Sequence, residues 1–189
     1  MKSRFKNQKG ISLMEIMVTV SLIVFMASLI TINYKSSNKR VEIIMTARKV
    51  VSDLRLAQSY AASAKQDSNV DENVWGFYFS TIDKNIYTFF VSNNDTGDYP
   101  IPGDDKVFRV IKLPDKISID KIEVCTGSPC SFQEIRTNIT IRFVPPDPST
   151  EIHYNPNSYT KTMITLKDEM NNSIKKIKVN NFGLIEESE

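Results

Sequence analysis

Apolar positions are distributed unevenly along the chain. Residues 11–32 read ISLMEIMVTVSLIVFMASLITI, a run of 22 with one charge, Glu15, and neither proline nor glycine. A bilayer crossing needs about 20 apolar helical residues, so the run predicts a transmembrane helix half over 11–32. No helix breaker occurs before Lys65, yet the pattern changes. Val41, Ile44, Ala47, Val51, Leu54, Ala57, Ala61 and Ala64 recur at spacings of three and four, with Arg40, Lys49, Asp53 and Gln58 on other faces. That spacing predicts an amphipathic helix half over 33–65.

Residues 66–189 change period again. β-branched and aromatic clusters separated by turn residues predict strands over 74–80, 86–91, 107–113, 117–124, 139–144, 163–166 and 174–179. The first two are close enough to form a hairpin. Two stretches rich in Pro, Asn, Asp and Gly, 93–105 and 145–160, read as exposed loops. The expected fold is α+β: a long N-terminal helix, its first half transmembrane, packed on a C-terminal antiparallel β-rich head.

Charge sharpens the reading of the N-terminus. The formal net charge is +2, but Lys2, Arg4, Lys6 and Lys9 give residues 1–10 four positive charges and no acid, so the remainder carries +2 − 4 = −2. A basic segment before an apolar run predicts a cytoplasmic N-terminus and a head on the other side of the membrane. A secretory signal peptide has an apolar region of about 7–15 residues, shorter than this run. A plain anchor accounts for length and orientation but not for a carboxylate within the run, which is costly in lipid and calls for a partner.

Gly10 followed by Ile11-Ser12-Leu13-Met14-Glu15 resembles the cleavage and methylation motif of type IV prepilins and pseudopilins. In that motif a glycine closes a short basic leader and glutamate is the fifth mature residue. The resemblance implies that residues 1–10 are a leader removed by a prepilin peptidase between Gly10 and Ile11, with N-methylation at Ile11. It also implies that Glu15 pairs with the new amine of a neighbouring subunit during assembly. Further along, Ala47-Arg48-Lys49-Val50-Val51, Trp75-Gly76-Phe77, Leu113-Pro114, Ile141-Arg142-Phe143 and Phe182-Gly183-Leu184-Ile185 resemble GspH-type minor pseudopilins of type II secretion and FimT-type minor pilins. The resemblance implies a structural subunit of a pseudopilus or pilus in a bacterial inner membrane, single-pass, with its head periplasmic. Its implied partners are prepilin peptidase, other pilin or pseudopilin subunits and membrane lipid. The alternative is a minor pilin whose head binds DNA or an adhesion ligand, although the acidic ending Glu186-Glu187-Ser188-Glu189 counts against nucleic acid.

Catalytic chemistry has little to stand on. His153 is the only histidine, and the sequence places it in a loop without a catalytic signature. Cys125 and Cys130 flank a Gly- and Pro-containing turn, which predicts a disulfide, with free thiols as the alternative; no further Cys or His nearby suggests zinc. Asn93, Asn94, Asp95, Asp98, Asp104 and Asp105 offer oxygen ligands, but not at EF-hand spacing. Lys176 and Lys178 fall on one strand face, opposite Ile177 and Val179, with Lys175 beside them. Trp75, Phe77 and Phe79 alternate onto a single face and read as core. No enzyme activity, metal or cofactor is expected.

Overall fold

The computed structural model describes residues 12–63, 74–92, 105–127, 129–145, 149–154 and 157–188, without the side chains of residues 30–40 and 105. The chain forms two compact units, Met1–Arg40 and Val41–Glu189. Helix α1 (Leu13–Ala62) supplies the described part of the first unit and opens the second.

In the second unit eleven described strands form two antiparallel sheets: β1 (Val74–Ser80), β2 (Ile86–Ser92), β3 (Asp105–Lys112), β4 (Ile117–Cys125), β5 (Gln133–Ile135), β6 (Asn138–Val144), β7 (Ser149–Tyr154), β8 (Asn157–Tyr159), β9 (Lys161–Asp168), β10 (Ile174–Asn180) and β11 (Ile185–Ser188). The six-stranded sheet runs β3-β2-β1-β6-β7-β8, and the five-stranded sheet runs β11-β10-β9-β4-β5.

Alternation explains what each sheet buries. Trp75, Phe77 and Phe79 on β1 face the core, as do Ile139, Ile141 and Phe143 on β6. Register sets Phe77 opposite Phe89 and Phe79 opposite Tyr87, so these rings stack at 4.6 Å and 5.4 Å between centroids. From the other sheet come Ile119, Ile122, Ile164, Leu166, Ile177 and Val179. The helix adds Ile43, Ala47, Val50, Leu54, Ala57 and Ala61, a stripe repeating every three or four residues. Val41, expected on that stripe, is exposed, and Ala64 lies outside the described residues. Asp53 and Gln58, expected on outer faces, reach the sheets instead. Tyr87 Oη donates to Asp53 Oδ2 at 2.6 Å, and Gln58 Nε2 donates to the Gly183 carbonyl at 3.1 Å. Burial, followed by the Asp53 hydrogen bond and charge, pushes the Tyr87 phenol well above its ordinary range.

All seven strands expected from sequence are present, with ends within two residues of those expected, and β5, β7, β8 and β11 are additional. Strands β7 and β8 occupy most of the described part of the expected 145–160 loop, where His153 pairs across strands with Ser158.

The expected architecture and membrane placement are corrected. The protein is mostly β, built on two antiparallel sheets, and among the described residues no helix is long and apolar enough to cross a membrane. Among the described residues the exposed apolar side chains of the first unit run from Leu13 to Leu29, with Glu15 among them. From residue 41 the helix carries Glu42, Arg48, Lys49, Asp53 and Arg55. The transmembrane helix half over 11–32 and the single-pass inner-membrane localisation, with a cytoplasmic N-terminus and periplasmic head, therefore lose their support.

Candidate functional site

The feature that most needs a functional account is the first part of α1. Every described side chain from residue 12 to residue 29 is exposed, including Leu13 at 76 %, Met17 at 67 %, Ile23 at 67 % and Phe25 at 62 %. These residues point in all directions around the helix, because their spacing follows no single stripe. A helix apolar on every side is one that is buried in its working state. The segment contains neither proline nor glycine, and its three leucines and three methionines are strong helix formers.

Its polar residues fall into two groups. The hydroxyls of Thr19, Ser21 and Ser28 donate to the carbonyls of Ile16, Val18 and Phe25 at 2.9, 2.8 and 2.7 Å. Each is satisfied by its own helix, so covering it with apolar atoms strands no donor. Glu15 differs: it is the one ionisable side chain between residues 12 and 29, it is exposed, and no ion pair among the described residues includes it. Covering it without a cation would cost far more than covering a satisfied hydroxyl. Gly10 and Ile11, the expected processing positions, lie outside the described residues.

The other candidates resolve into structural roles. Cys125 and Cys130 form a disulfide with a Cα–Cα distance of 5.8 Å, and no free cysteine remains. It closes the turn after β4, whose end is also held where Thr160 donates from N and Oγ1 to the Cys125 carbonyl, each at 3.0 Å. Among the described residues no group of three His, Cys, Asp or Glu is placed to hold a metal ion. The expected oxygen-ligand stretch falls outside the described residues apart from the backbone of Asp105, which begins β3.

His153 sits in strand β7, not in a loop. Its Nε2–H donates to Glu151 Oε2 at 3.1 Å, since a carboxylate only accepts, and its Nδ1 accepts from Ser158 Oγ at 3.3 Å. The bond to His153 is the largest cause holding the Glu151 carboxyl below its ordinary range; burial opposes it and the charge of Arg142 adds to it. The arrangement ties β8 to β7 through side chains on adjacent strands. Sequence reasoning missed it because the intervening Pro and Asn residues read as a loop, although Glu151, His153 and Ser158 would share one face once a hairpin is assumed.

Lys176 and Lys178 share the face opposite the buried Ile177 and Val179, as their alternation predicts. Acids stand close to this basic cluster: Lys178 lies across from Glu186, and Lys175 Nζ is 3.7 Å from Glu187, which Arg48 of α1 also approaches at 3.6 Å. Arg55 Nη2 donates to the Ile185 carbonyl at 3.1 Å. Three helix side chains, Arg48, Arg55 and Gln58, thus fasten the C-terminal strand and the turn before it to α1.

Comparison with known protein families, characterised proteins and solved structures finds no match for the chain.

Proposed function

We propose that this chain is a non-catalytic structural subunit of a pilin-type filament, either a type II secretion pseudopilus or a type IV pilus. In this reading a prepilin peptidase cuts it between Gly10 and Ile11, and the new amine is methylated. The observation that carries the proposal is the all-round exposure of the apolar residues between 12 and 29, interrupted by the single charge of Glu15.

Exposure on this scale favours assembly. Each fully covered Val, Leu, Ile, Met or Phe side chain gains about 1.5–3 kcal/mol, so the twelve such residues exposed between Leu13 and Leu29 provide a large drive for cover. Equivalent helices of neighbouring subunits supply cover of matching length, and their N-terminal amines supply the cation that Glu15 needs. A charge left alone in that interior would be expelled, so Glu15 sets the register in which the helices pack. The sheets form a separate unit and remain folded whether or not the helix is covered.

The test is recruitment into filaments. In a host that assembles such filaments, Glu15→Ala and Glu15→Gln should each reduce the amount of this subunit in the sheared filament fraction at least tenfold, while the melting temperature of the sheet-containing unit stays unchanged. Wild-type recruitment of both variants would remove the role given to the charge.

A further inference from the structure

Beyond this reading, and independent of the helix, the sheet-containing unit carries a candidate binding site of its own. We propose that the concavity between the β1–β2 turn and strands β4 and β5 binds a small zwitterion, a molecule of the amino acid or short peptide class with one ammonium and one carboxylate.

The concavity has a volume of about 310 Å³, at the lower end of the range for small-molecule sites. Charged side chains dominate its lining. Lys84, Asp120, Glu134 and Arg136 are exposed there, and none of the four belongs to an ion pair among the described residues. Lys121, the fifth, is held by Glu123 at 3.3 Å. Both signs are thus gathered in one space without closing on one another, and each group keeps its hydrogen-bonding capacity for a ligand.

The backbone that carries these groups is fixed. Thr81 donates from N and Oγ1 to the Thr137 carbonyl at 2.7 and 3.1 Å, and the Ile119 amide donates to the Lys84 carbonyl at 2.8 Å, so the β1–β2 turn of one sheet is tied to β4 of the other. On β4 the register shifts between Ile119, opposite Leu166, and Lys121, opposite Thr165, which leaves Asp120 as an extra residue. A bulge of this kind re-aims a side chain and is over-represented beside functional sites. Glu134 and Arg136 stand on either side of Ile135, which is buried in the core. Ligand-binding groups on a rigid support lose little freedom when they are occupied.

The balance of charge selects the ligand. Lys84 and Arg136 against Asp120 and Glu134 sum to zero, so a phosphate would face two carboxylates and a polyamine would face two cations. A molecule carrying both signs meets both sets. The planar Arg136 guanidinium suits a carboxylate with two parallel hydrogen bonds, and Lys84 adds a second cation. Asp120 and Glu134 only accept, which is what an ammonium with three donors needs. No aromatic side chain is among the described residues that line the space, so it offers no platform for stacking a nucleobase.

The test titrates the full chain, ¹⁵N-labelled in mild detergent at neutral pH, with glycylglycine. Two controls are N-acetylglycylglycine, which lacks the ammonium, and glycylglycinamide, which lacks the carboxylate. Glycylglycine should give saturable shifts of the Lys84, Asp120, Glu134 and Arg136 amides in the millimolar range, and each control should bind at least tenfold more weakly. Arg136→Gln and Glu134→Gln should each weaken glycylglycine at least tenfold without changing the melting temperature. No saturable shift at these amides, equal binding of either control, or an affinity indifferent to both substitutions would each overturn the proposal.

Discussion

Gly76→Ala is expected to destabilise the sheet-containing unit by more than about 3 kcal/mol, at or beyond the upper end of ordinary overpacking changes. Gly76 lies on β1 between β2 and β6, opposite Phe90 on one side and Arg142 on the other. A Cβ at this position would stand 2.5 Å from Phe90 Cζ, 2.9 Å from Phe90 Cε1 and 2.8 Å from the Ile141 carbonyl oxygen. The ring cannot swing freely, because Phe90 is only 1 % exposed. The Ile141 contact is with backbone in the neighbouring strand, so relief requires the strands themselves to move. A strand glycine of this kind marks a close approach that no other residue permits. Adding Phe90→Ala should restore only part of the loss, since it removes the ring contacts and leaves the carbonyl contact in place. The chain has a single tryptophan, Trp75, next in sequence, and its fluorescence reports the unfolding directly. A Gly76→Ala protein with wild-type stability would show that the strands separate at little cost.

On the opposite face of the same strand, Trp75→Ala should cost about 3–5 kcal/mol by opening a cavity where a ring had been. Trp75 is 1 % exposed and meets three rings: Tyr60 of α1 at 5.0 Å, Phe108 of β3 at 5.3 Å and Phe89 of β2 at 5.4 Å. Tyr60 and Phe108 approach edge-on, a geometry that adds to burial alone. Losing the indole therefore loosens the junction of helix and six-stranded sheet, not one strand alone. For a unit of this size the expected fall in melting temperature is roughly 6–20 °C, measured by circular dichroism. Trp75→Phe should lose distinctly less, because a smaller ring still occupies part of the space. A fall below about 2 °C for Trp75→Ala would mean that the helix is not held through this cluster.

The alternation of Trp75, Phe77 and Phe79 was enough to place β1 and its buried face, because period two with large side chains has one good solution. The same logic placed six further strands. It failed at β7 and β8, where Asn155 and Pro156 masked a hairpin whose strands are short and polar, and at β5 and β11, which have three and four residues and too little pattern to detect. The helix stripe was legible from Ala47 to Ala61, but its start was misplaced: Ile43 carries the burial expected of Val41, a shift that periodicity alone does not resolve over one turn. Asp53 and Gln58 looked like solvent-facing residues, since nothing local reveals that Tyr87 and Gly183 lie across from them. The membrane reading finds no support among the described residues, where no helix is long and apolar enough to cross a bilayer. The assembly reading rests on Glu15, whose isolation among apolar residues is visible in sequence and whose proposed partner belongs to another molecule.

The measurement that bears most directly on the proposed function is the N-terminus of the protein after co-expression with a prepilin peptidase. Intact-mass and N-terminal peptide analysis should show a chain beginning at Ile11 with one added methyl group, and Gly10→Val should leave the leader attached. A leader that stays intact beside active peptidase, or a cut beyond residue 32, would contradict the account.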